Sequence, residues 1–137
     1  INNTIILYNI ILLYKNKYLI YNMEKLEELL GLFSKTYSQF KNVKITVIPY
    51  NYYYIAICLV DKVGDYIKVK KTRILNVIPK EIVMTDVAMN KKENELLFIF
   101  IHECSHGITP HIERKVKKEY IRIDHSRHFY IIFFKLL

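Results

Sequence analysis

Between Met23 and Phe40, apolar residues recur at three- and four-residue steps. Leu26, Leu29, Leu30, Phe33, Tyr37 and Phe40 fall on one stripe, which predicts an amphipathic helix with one face on a core. Val43 to Pro49 then alternates apolar and polar residues, the period of a half-buried strand. Tyr52 to Val60, rich in Tyr and Ile, predicts a second strand. Asp61 to Asp65 supplies a turn, and Tyr66 to Lys70 alternates again. Two shorter strands are expected on either side of Pro79, over 73–78 and 81–85.

The pattern changes at Asn90. Asn90-Lys91-Lys92-Glu93 has the spacing of a capping box, in which a short polar side chain and a glutamate three residues on satisfy free amides. The run from Glu95 to His106 is apolar nearly all round, as a helix buried within a domain should be. Gly107 is expected to stop it in the left-handed conformation. Residues 112–123 are basic and weakly periodic, and read as a connector or short helix. Asp124 is the expected cap of a last helix, His125 to Leu137, with Phe129, Ile132, Phe133 and Leu136 on one face. Helix, several strands, then two helices make an α+β domain. No internal repeat or low-complexity linker interrupts it.

The totals are consistent with this. A chain of 137 residues suits one compact domain, and an apolar fraction of 52% supplies a core. There are only 3 Gly and 3 Pro, while Ile, Tyr, Lys and Asn abound, the bias of an AT-rich genome. The net charge of +8 is compatible with an acidic surface or nucleic acid as partner, although genome-driven lysine on a solvated face explains it as simply. Cys58 and Cys104 form no spaced framework, so two free thiols in a reducing, intracellular compartment are expected. The apolar run 5–14 is interrupted by Asn9 and ended by Lys15 and Lys17. It is too short for a bilayer span of about 20 residues and lacks the flanks of a signal peptide. We read 1–22 as an apolar N-terminal segment, either a buried strand or a stretch upstream of a start at Met23, and 23–137 as the single domain.

The chemistry concentrates in His102-Glu103-Cys104-Ser105-His106. Residues four apart share a helix face, so His102 and His106 can offer two imidazole nitrogens to one metal ion. Glu103 lies one residue round, in reach of a water at that metal. This is the HExxH pattern: two zinc ligands and a general base for attack on a peptide carbonyl. Two histidines and a glutamate late in an apolar helix would be costly without such a purpose. A catalytic zinc takes three protein ligands and one open site. His111, His125 and His128 compete for the third place, and His111 is one residue short of the HExxHxxGxxH spacing. Glu113 and Glu119 sit among lysines and read as solvating groups. Asp124 or Asp86 can orient a ligand histidine, while Arg127, His128 and Tyr120 read as surface or packing residues more readily than as oxyanion stabilisers.

The string HECSHGITP, followed by DHSRHFYIIFFKLL, resembles the C-terminal half of the WLM and SprT-like metalloproteases. The small WLM-like metallopeptidases of large DNA viruses are the nearest likeness. The resemblance covers roughly residues 93–137. It departs at Asp124, where the family usually has Gly, and in a longer, more basic segment between the histidine sites.

The resemblance implies a zincin-like minimal protease: N-terminal helix, small mostly antiparallel sheet, active-site helix and C-terminal helix. It implies Zn2+ held by His102, His106 and His125, with Glu103 as the base. A monomeric intracellular zinc metalloendopeptidase is expected, away from membranes, acting on proteins, including DNA-attached or SUMO- or ubiquitin-linked ones. Lys68, Lys70, Lys71 and Arg73, with Arg114, Lys115, Lys117 and Lys118, are the residues for a DNA-facing surface. The alternatives are a non-catalytic zinc-stabilised binding module, against which Glu103 argues, and a decayed protease-like reading frame.

Overall fold

The computed structural model describes residues 17–137. The apolar run 5–14 and most of the 1–22 segment lie outside the described residues. Helix α1 covers Lys17–Thr36 and so begins upstream of Met23. Leu19 and Asn22 extend its buried stripe backwards from Leu26, Leu30 and Phe33, and Asn22 Nδ2 donates to the Met89 carbonyl at 2.9 Å. A 3-10 turn at Ser38–Phe40 leads to β1, Lys44–Ile48.

The next two strands are long. β2 is Ala56–Val69 and β3 is Thr72–Thr85, paired antiparallel. The expected turn at 61–65 is instead a register irregularity between Val63 and Ile67, with Gly64 at φ 73°; the chain turns at Lys70 and Lys71. Nor does Pro79 divide β3. It sits beside the shift between Leu59 and Val60, where a ladder tolerates a missing amide.

β1 pairs in parallel with Glu81–Thr85 on the other side of β3, and β4, His111–Val116, pairs with Thr72–Leu75. β5, Glu119–Arg122, completes a mixed, mostly antiparallel sheet. Residues 112–123, expected as a connector or short helix, are therefore largely a hairpin. Its basic composition obscured a strand whose partner lies far off in sequence.

Three helices follow β3. α2, Asp86–Met89, is a single turn capped by Thr85. α3, Glu93–Ile108, packs on β2 and β3. Its N-cap is Lys92 with no side-chain cap bond, so the expected capping box does not form; Asn90 instead ends α2. α4, Arg127–Leu136, lies against α3. Ser126, not Asp124, caps it, accepting from Phe129 N at 3.1 Å, which leaves His125 in the preceding loop. Phe129, Phe133 and Leu136 turn inward as expected and join Leu96, Phe100 and Cys104 in the core. Helix, curled mixed sheet, internal helix bearing the paired histidines and C-terminal helix together match the minimal zincin-like arrangement. Among the described residues no helix is long and apolar enough to cross a membrane.

Gly107 does not stop α3; it lies inside the helix and is buried. A Cβ there would meet Pro79 Cβ at 2.8 Å and Cys58 Sγ at 3.1 Å. The glycine exists for close packing of α3 on the β2–β3 hairpin. Gly107→Ala gains about 1 kcal/mol in helix propensity but overpacks a rigid ring at a cost of about 1–3 kcal/mol. A net loss of stability is expected in urea denaturation; a stabilised variant would show the contact to be slack.

Candidate metal centre

α3 presents His102 and His106 one turn apart, and the β4–β5 hairpin returns the chain so that His125 meets them. His102 Nε2 lies 3.2 Å from His106 Nε2 and 3.1 Å from His125 Nε2. Two ligands about 2.0–2.1 Å from a tetrahedral ion stand about 3.3 Å apart, so these separations are those of a coordination edge. The three ligand atoms lie within 4.8 Å of one another, and the group is the one such cluster found among the described residues. Three imidazole nitrogens aimed at one point are chemically suited to a transition metal.

Phe129 fixes the rings from below. Its centroid is 4.4 Å from His106, 4.9 Å from His125 and 5.1 Å from His102, and it is fully buried. Burial, reinforced by neighbouring imidazoles, pushes His106 down to about 4 and also lowers His102. Both are therefore neutral at physiological pH, the form a metal requires.

Glu103 shares the cleft, which measures about 410 Å³ and is also lined by Tyr54, Cys58, His111 and Asp124. Burial raises its carboxyl from 4.5 to about 7; a backbone hydrogen bond from Cys58 opposes the rise, and the Asp124 charge adds to it. A carboxyl near neutrality can both take and give a proton at working pH. Burial, and then Glu103, pushes the Cys58 thiol up to about 12, and burial also raises Cys104 well above the usual thiol range. Both thiols are free, as expected, and stay protonated.

The structure brings His102, Glu103, His106 and His125 together. His111 lies in the same cleft outside the triad, and His128 is exposed on α4. Asp124 stands near Glu103 and His106 and pairs with Arg122 at 3.2 Å. Asp86 accepts from Tyr50 N, at the start of α2. Of the basic residues, Lys70, Lys71, Arg114, Lys115 and Lys117 line one shallow depression between the two hairpin tips, joined by a 2.7 Å bond from Lys115 N to the Lys71 carbonyl.

Arg73 does not join them; it turns inward to Glu113. Glu113 is thus a partly covered link between strands, where the sequence suggested a solvated group. Cys58 was not legible as a site residue, because its role is that of a backbone amide on a strand opposite the helix. Compared with known proteins, the chain matches no family model, no curated protein and no solved structure.

Proposed function

We propose that this protein is a zinc-dependent metallopeptidase, with His102, His106 and His125 as ligands and Glu103 as general base. The observation that carries the reading is the convergence of three Nε2 atoms in a cleft that also holds a carboxyl tuned to about 7. Bound there, zinc supplies Lewis acidity to a peptide carbonyl and acidifies a water. Glu103 takes the proton of the attacking water and returns it to the departing amine. The Cys58 amide holds that carboxylate in place, and Phe129 keeps the imidazoles from turning.

Among the described residues β2 pairs only with β3, so its other edge is open where Ala56, Ile57, Cys58 and Val60 line the cleft. An extended peptide can add to that edge through main-chain hydrogen bonds, which suits protein substrates. A structural zinc site would close with a fourth protein ligand, whereas three residues cluster here beside open volume. Dialysis against a chelator is expected to abolish cleavage of an unfolded protein such as casein, and stoichiometric zinc to restore it. Cleavage indifferent to both would sink the reading.

The likeness of residues 93–137 to WLM and SprT-like proteases extends the proposal to DNA-associated, or SUMO- or ubiquitin-linked, substrates in an intracellular setting. The basic depression supports the nucleic-acid part. Lys70 and Lys117 occupy hairpin positions at φ 56° and 59°, which Gly or Asn fill at lower cost. AT-rich codons serve Asn as well as Lys, so composition alone does not explain the choice. Fluorescence anisotropy is expected to show duplex DNA binding that weakens steeply with salt, and Lys70→Asn with Lys117→Asn should flatten the slope by about two phosphate contacts. No binding at low salt would remove DNA from the reading.

A further inference from the structure

His111, the first residue of β4, lines the cleft of the histidine triad without belonging to it. Its Nε2 lies 3.0 Å from Glu113 Oε2, two residues along the same strand face. The other Glu113 oxygen accepts from Arg73 Nε on β3. The Arg73 guanidinium is held between two rings, 4.3 Å from Tyr66 on β2 and 3.9 Å from Tyr120 on β5. Four of the five strands therefore contribute to fixing one imidazole at the wall of the cleft. An arginine–glutamate pair is complete without a histidine. The added histidine is the end of the chain that meets the cleft, and with Nε2 engaged, Nδ1 is left for whatever enters.

We propose that His111, oriented by Glu113, donates a hydrogen bond from Nδ1 to the scissile carbonyl oxygen as negative charge develops on it. The inference rests on the hydrolase reading of the triad. In this role the imidazole bridges the two oxygens, Nε2 facing the Glu113 carboxylate and Nδ1 the carbonyl oxygen. Glu113 is itself kept anionic, its carboxyl held below the usual range by His111 first and then by Arg73. Charge-assisted donors of this kind are shorter and stronger than neutral ones, and they act most where water is sparse. No bond to His111 forms or breaks; it stabilises charge while Glu103 handles the proton.

The test compares zinc-loaded wild type with His111→Gln and Glu113→Gln. Two probes are titrated: N-phosphoryl-Leu-Leu, which presents a tetrahedral anionic oxygen, and leucine hydroxamate, which grips metal without one. His111→Gln is expected to weaken the phosphoryl probe by about 100-fold and to lower kcat by a similar factor, with KM, zinc content and hydroxamate affinity little changed. Glu113→Gln, which keeps the imidazole but removes the carboxylate that His111 shares with Arg73, should weaken the phosphoryl probe by about 10-fold. A structural role would lower the melting temperature without separating the two probes. Equal affinity of wild type and His111→Gln for the phosphoryl probe would overturn the inference while leaving zinc-dependent cleavage intact, and loss of zinc in His111→Gln would overturn it by making His111 a ligand. A wild type that neither holds zinc nor cleaves casein would overturn the hydrolase reading, and the inference with it.

Discussion

Glu103→Gln is expected to hold zinc as the wild type does and to cleave protein between about 10²- and 10⁴-fold more slowly. The amide keeps the size of the side chain and can still meet the Cys58 backbone, but it cannot accept a proton from water. The same substitution should change stability in the opposite direction. Burial raises the carboxyl from 4.5 to about 7, so the folded state favours the protonated form and loses stability as pH rises through that window. Above it the wild type carries a poorly solvated charge that Gln lacks. Metal-free Glu103→Gln should therefore exceed metal-free wild type by about 1–3 kcal/mol at pH 8 and by nothing below pH 4.5. Chemical denaturation at the two pH values checks the stability, and a casein assay checks the rate. Retained cleavage would remove Glu103 from the base role.

The second large effect concerns the metal. His125→Ala leaves two ligands on α3 and should weaken zinc by more than about 100-fold, beyond what loss of an outer partner does. His111→Ala and His128→Ala should keep zinc at one ion per chain, since neither belongs to the triad. Mass spectrometry of the purified variants decides this, and zinc lost only from His111→Ala would reverse the assignment. Acid should act in the same direction as His125→Ala. His106 is pushed down to about 4, so between pH 6.5 and 4 the unfolded chain takes up a proton that the folded chain refuses. Stability contributed by the neutral ring is lost as pH falls through that window, and protons compete with the ion for the same nitrogen.

Long apolar periodicities were the most legible part of the sequence. The stripe of α1, the buried run of α3 and the Phe129–Phe133–Leu136 face of α4 are local patterns, and local spacing sets which side turns inward. The sheet was harder to read. Gly64 and Asp65 mimic a turn inside β2, and Pro79 mimics a break inside β3, because the irregular register that tolerates both depends on the paired strand. Helix caps also failed: Asn90 and Asp124 have the right chemistry, but Lys92 and Ser126 occupy the positions.

For the site, a four-residue step on one helix made His102 and His106 evident. His125 needed the resemblance, because only the hairpin brings it back across 23 positions. The Glu113 partnership with Arg73, 40 residues away, left no local trace.

The hairpin between His106 and His125 carries one more consequence, for chain entropy. An ion shared by His102 and His125 would act as a detachable cross-link, closing a loop that an equivalent covalent tie would stabilise by about 3–4 kcal/mol. α4 rests chiefly on α3, so removing that cross-link would free the C-terminal helix first. The supply of the ion would then govern how long the polypeptide resists proteolysis, as well as whether it reacts.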